Sequence, residues 1–108
     1  MAVVDGDYVR RYLSGAVVVP GLTFQLEPDD DESVDEEVKL LLQGVDVQVS
    51  VQVGGGYVVL NRYGYSRPGD PGSFYAQSLG DWGIQPGDLA ELAKAVSLEV
   101  ARLLRRAA

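Results

Sequence analysis

The chain has 108 residues, a formal net charge of -7, and neither cysteine nor histidine. Its 46% hydrophobic and 23% charged residues suit one soluble globular domain with one modest core. Lacking Cys, it holds no disulfide framework, thiol nucleophile or thiolate zinc site; lacking His, it has no Ser–His triad and none of the commonest metal ligand.

The acids are unevenly placed. Glu27, Asp29, Asp30, Asp31, Glu32, Asp35, Glu36 and Glu37 are eight of the sixteen, and without them the net charge changes from -7 to +1. Such a local field repels phosphates and attracts basic partners, so direct nucleic-acid binding is not expected. No apolar run approaches the roughly 18 residues of a membrane span. Acids stand near the N-terminus where a signal peptide would carry positive charge, so a cytoplasmic location is expected.

Asp5 or Asp7 caps an expected short helix through Tyr8, Val9, Tyr12 and Leu13, stopped by Gly15. Ala16 to Val19 is a β-branched run ending at the turn pair Pro20-Gly21. Leu22, Phe24 and Leu26 alternate with polar residues as a half-buried strand. The acidic stretch 27–37 then reads as a loop or the start of a helix. Ser33 and Glu36 have capping-box spacing, which places Val34, Val38, Leu41 and Leu42 on one helical face, with Gly44 as the stop. Residues 38–43 also read as extended, because Leu40-Leu41-Leu42 fits either period; the acids in the first turn favour the helix.

Val45, Val47, Val49, Val51 and Val53 alternate without error with polar residues, the pattern of a strand with one buried face. Gly54-Gly55-Gly56 turns the chain into a returning strand over 57–65. A two-residue Gly55-Gly56 turn sets Val53 opposite Val58, Val51 opposite Leu60 and Val49 opposite Arg62, whereas a three-residue turn would bring the tyrosines onto the valine face. The two-residue turn is favoured, as a type I′ Gly-Gly turn matches strand twist. Residues 66–72 form a loop, 73–79 a further strand, and 80–87 a turn-rich stretch. Asp88 and Glu91 open a helix over about 88–106, with Leu89, Ala93, Val96, Val100 and Leu103 as its apolar stripe, widened by Leu92 and Leu104.

The expected fold is α+β: an antiparallel β-meander of three to four strands against a long C-terminal amphipathic helix, with one or two short N-terminal helices. In the favoured register Tyr57, Asn61, Tyr63 and Tyr65 line the polar side of the sheet, with Arg67 in the adjoining loop. Such a row either serves as a contact surface or is covered by the N-terminal segment as a second layer.

Chemistry is sparse. The acidic run is fully solvated in this reading, which leaves its carboxylates without the desolvation that acid–base work needs. It lacks the alternation of a calcium loop, and the triple glycine lacks the Lys-Ser/Thr of a phosphate loop. No catalytic residue, metal or cofactor is expected. The function that fits best is a non-catalytic protein-binding domain, a small acidic inhibitor or antidote of the immunity or phage anti-defence kind. Asp29, Asp30, Asp31, Glu32, Asp35 and Glu36 would meet a basic surface of the partner protein, and Tyr57, Asn61, Tyr63, Tyr65 and Arg67 would supply the contact centre. The alternatives are a structural or assembly protein, such as a virion component or homo-oligomer, and a carboxylate-dependent enzyme recognisable by a pocket holding a buried acid.

Overall fold

The computed structural model describes residues 3–27 and 35–107, in an α+β arrangement. The chain order is α1 (Gly6–Ala16), β1 (Leu22–Leu26), β2 (Glu36–Leu42), β3 (Val49–Gly54), β4 (Tyr57–Tyr65), β5 (Phe74–Trp82) and α2 (Pro86–Ala107). The strands form one antiparallel sheet in the order β1-β2-β3-β4-β5, so each pairs with its neighbour in sequence.

Both helices cover the same face. Val38, Leu40, Leu42, Val49, Val51, Val53, Val58 and Leu60 form one buried cluster with Val9 and Leu13 of α1 and Leu89, Leu92, Val96 and Val100 of α2. Helix α1 packs over β1, β2 and β3, and α2 over β4 and β5. At α1 the Asp5 carboxylate accepts from the Tyr8 N–H at 2.9 Å, and Glu36 Oε1 accepts from the Gly6 N–H at 3.0 Å. Two of the helix's otherwise orphaned donors are thereby satisfied. Gly15 lies inside this helix and does not stop it.

The expected helix after Ser33 is absent from the described part of that segment: residues 36–42 are strand, and of the one or two short N-terminal helices expected, one is present among the described residues. Val38, Leu40 and Leu42 are buried while Lys39 and Leu41 are exposed, the two-residue period of a strand. Pairing on both sides, with β1 and with β3, decides the conformation where the apolar run could not. The sheet thus has five strands where three to four were expected.

The valine segment enters the β3 ladder only at Val49; Val45 makes an isolated bridge to Leu42, although Val47 is buried like its neighbours. Val53 faces Val58, Val51 faces Leu60 and Val49 faces Arg62, the register of a two-residue turn. The turn is not of the expected I′ type, which requires a positive φ at both central residues: Gly56 has φ 102°, and Gly55 has no positive φ. Strand β5 runs on to Trp82 through the stretch read as turns. A register shift opposite Leu60/Asn61 admits one extra residue, and Gly80, at φ 155°, lets the Trp82 ring lie against the backbone where a Cβ would meet it at 2.6 Å.

Helix α2 begins two residues earlier than expected, at Pro86. Asp88 Oδ2 accepts from the Gln85 N–H at 3.1 Å, and the Leu89 N–H donates to the Gln85 carbonyl. Gln85 is therefore the N-cap, Pro86 occupies the first helical position where its missing N–H costs nothing, and Asp88 closes half of a capping box. Leu104 is 42% exposed and does not widen the stripe; Glu99 takes a buried place in it instead.

Candidate functional site

The opposite face of the sheet carries no helix among the described residues. Antiparallel pairing places Glu37 and Lys39 of β2, Ser50 and Gln52 of β3, Tyr57, Val59, Asn61, Tyr63 and Tyr65 of β4, and Phe74, Ala76 and Ser78 of β5 on that side. The N-terminal segment is not a second layer over this row, because α1 packs on the valine face.

The aromatic side chains form one cluster. Phe74 stacks on Tyr63 with ring centroids 6.0 Å apart and meets Tyr65 edge-on at 5.6 Å. Phe74 is 53% exposed and Tyr65 52%. The Tyr63 hydroxyl accepts from Ser50 Oγ at 3.0 Å and donates to Glu37 Oε1 at 3.3 Å, a relay that anchors the ring over the buried Ser50. Burial, reinforced by the Glu37 charge and opposed by the Ser50 hydrogen bond, raises the Tyr63 phenol above its ordinary value. Nearer the turn, Asp35 Oδ2 accepts from the Tyr57 hydroxyl at 2.8 Å and from Gln52 Nε2 at 2.6 Å. The hydrogen bond to Asp35 raises the Tyr57 phenol as well. Carboxylates and phenols thus alternate along this face.

Beside the cluster lies a shallow hollow of about 320 Å³ lined in part by Glu27, Glu37, Lys39, Ser50, Tyr63 and Phe74. A larger one of about 500 Å³ adjoins it and shares Lys39 and Gln48 with it. Two carboxylates and two aromatic rings around one opening, against the single cation Lys39, leave a net negative charge that suits a cationic side chain, through charge and through the ring quadrupole.

Of the residues expected at a contact surface, Asp35, Tyr57, Asn61, Tyr63 and Tyr65 come together here. Glu36 does not: its carboxylate is engaged with the start of α1, on the other side of the sheet. Arg67 lies in the β4–β5 loop, paired with Asp70 at 2.9 Å and 73% exposed. Asp29, Asp30, Asp31 and Glu32 lie outside the described residues. Phe74 and Glu37 join the site without having been expected; residues 73–79 carry no clear alternation, and Phe74 is placed only by the β4–β5 register, which sets it opposite Tyr65.

A second polar cluster sits on the helix side. Glu99 of α2, 6% exposed, accepts from Arg62 Nε and Nη2 at 3.0 and 2.9 Å and from Arg102 Nη2 at 2.6 Å. Burial works to raise the Glu99 carboxyl, but hydrogen bonds from Arg102 and Arg62, with their charges, outweigh it and hold the pKa at about 2. The sequence carried the signal for this pair: a guanidinium opposite Val49 on an apolar face, and a carboxylate inside an apolar helical stripe.

No group of three or more acidic side chains placed to hold a metal ion occurs among the described residues, and no helix among them is long and apolar enough to cross a membrane. Comparison with protein-family models, with curated proteins and with solved structures yields no match.

Proposed function

We propose that this domain is a non-catalytic protein-binding module whose contact surface is the helix-free face of the sheet, and that its partner presents a basic surface. The observation that carries the reading is the cluster of Tyr63, Tyr65 and Phe74, two of its rings half exposed, on a face flanked by carboxylates. Aromatic rings supply desolvated contact area at low entropic cost, and the surrounding acids steer a cationic partner and select against an anionic one. The hollow beside Tyr63 and Phe74 receives a lysine or arginine of the partner between Glu27 and Glu37. In this reading the acids at 29–32, which stand between Glu27 and Asp35 in the sequence, add to the negative charge. An inhibitor or antidote that occupies a basic groove is the biological role that best suits such a surface.

A carboxylate-dependent enzyme is less well supported. Glu99 is a buried acid, yet its pKa of about 2 leaves it ionised and clamped, the opposite of a proton donor poised near neutrality. Homo-oligomerisation keeps one point in its favour: the outer edge of β5, nine residues long, has no strand paired to it among the described residues.

The test is capture of partners from the native host on immobilised protein, at low and high salt. Three baits are compared: the unaltered chain, a Tyr65→Ala/Phe74→Ala variant, and a variant with residues 29–32 neutralised. The expected result is a basic protein retained at low salt, released by salt, and lost from both variants. Retention indifferent to salt and to both sets of substitutions would overturn the reading. Sedimentation of the purified chain separates it from self-assembly, which predicts a dimer or larger species.

A further inference from the structure

At the end of the sheet away from the Gly55-Gly56 turn, a recess of about 210 Å³ is lined in part by Arg62, Tyr75, Arg102, Arg106 and Asp46. Arg62 pairs with Val49 whereas Glu36 pairs with Val53, so the recess is removed from the acidic edge by roughly 13 Å of strand. Three elements contribute: β4 gives Arg62, β5 gives Tyr75, and successive turns of α2 give Arg102 and Arg106.

Glu99 engages Nε and Nη2 of both Arg62 and Arg102. That fixes the two guanidiniums and leaves each Nη1 without a protein acceptor among the described residues. Among the described residues no buried side-chain nitrogen or oxygen lacks a partner, so both Nη1 groups reach solvent. Arg106 is exposed and forms no ion pair among the described residues. Three guanidiniums thus stand against two carboxylates, Glu99 and Asp46, with one positive charge left over. Glu99 acts as a positioning residue: it spends one edge of each arginine to hold the other edge outward.

We infer that this recess binds the phosphate of a small phosphomonoester, through Arg62, Arg102 and Arg106, with the ester portion lying against Tyr75. A carboxylate presents two oxygens in one plane, already seen here holding two guanidiniums at Glu99, whereas a tetrahedral phosphate monoester offers three acceptor oxygens and up to two negative charges to donors arriving from different directions. The volume exceeds that of a phosphoryl group, so the near part of the ester portion fits beside it and the remainder lies against the 43% exposed Tyr75 ring. Asp46 at the lining opposes the anion and sets an upper limit on affinity.

The test titrates isotope-labelled protein with AMP and with glycerol phosphate at low salt, followed by NMR. Saturable shifts at Arg62, Tyr75 and the last turns of α2 are expected. Arg106→Ala should weaken both ligands about tenfold, the equivalent of one charge-assisted hydrogen bond. Asp46→Asn should tighten both about threefold through loss of a like charge. Both residues are exposed, and unchanged melting midpoints establish that the variants are folded. Tighter binding of AMP than of glycerol phosphate, with the difference lost in Tyr75→Leu, assigns the source to nucleotides. Equal affinities assign it to aliphatic phosphates. Absence of saturable shifts with either ligand, or affinities unmoved by Arg106→Ala and Asp46→Asn, overturns the proposal.

Discussion

The two faces of the sheet keep their side chains in place by different means. Under α1 and α2 the valines and leucines are removed from water altogether: Val38, Leu40, Val51 and Val58 have no accessible surface. On the opposite side the rings remain half exposed, and hydroxyl groups tie Tyr57 to Asp35 and Tyr63 to Ser50 and Glu37. Burial is non-directional and scales with area, whereas a phenol bonded to a carboxylate is directional and easily exchanged for water. The covered face therefore holds most of the folding energy, and the open face keeps a shaped surface at little cost to it.

The sharpest way to break this contrast is to truncate large side chains on each side. Leu60→Ala, on the covered face, should cost about 3 kcal/mol in urea unfolding, transfer and cavity terms together. Glu99→Ala should cost nearly as much, about 3 kcal/mol, because it leaves Arg62 and Arg102 crowded together without their counterion. The double variant Arg62→Met/Glu99→Leu should recover most of that loss, since replacing both partners leaves no orphaned charge. If it does not, the triad contributes more than charge compensation.

Acid offers a graded version of the same experiment. The folded-state pKa of Glu99, about 2, lies below its ordinary 4.5, so its contribution is complete above pH 4.5 and fades as pH falls through 2. Up to about 3 kcal/mol is at stake across that window, read as the pH dependence of unfolding free energy, and Glu99→Gln should flatten it. Alkali acts on the other face. The raised phenols of Tyr57 and Tyr63 favour the fold below pH 10, and that contribution is lost as pH rises through their folded values. Phenolate absorbance should show both tyrosines titrating later than in the unfolded chain.

The smallest effect is expected from Phe74→Ala. It deletes a larger side chain than Leu60→Ala yet should cost under about 1 kcal/mol, the scale of a cross-strand aromatic pair in water. A cost above that of Leu60→Ala would mean that the open face is a second core.

Much of this arrangement is written locally. The Val/Gln alternation before Gly54 specifies the buried face, while the register of the return rests on Val58 and Leu60, which a one-residue slip would turn away from the valines and replace with tyrosines. The stripe from Leu89 to Leu103 specifies the long helix for the same reason. Residues 36–42 were not legible. Leu40-Leu41-Leu42 hides its two-residue period in a continuous apolar run, and Ser33 with Glu36 mimics a helix start. Only the ladders to β1 and β3, set by distant residues, resolve it. The site divides similarly. The tyrosine row followed from the register, but Glu36 turned to α1, and Phe74 required knowing how β5 aligns with β4 across its irregularity at Leu60/Asn61.

Helix α2 follows all five strands in the chain, yet it supplies Leu89, Leu92, Val96 and Val100 to the only large apolar cluster among the described residues. During vectorial synthesis the hairpins can pair one after another as they emerge, each from its sequence neighbour. Helix α1 already roofs β1, β2 and β3, but the covered side of β4 and β5 stays wetted until α2 clears the ribosome. A nascent chain of this protein is therefore a sticky, half-roofed intermediate, and a pause after β5 but before α2 has emerged should be its point of greatest dependence on chaperones.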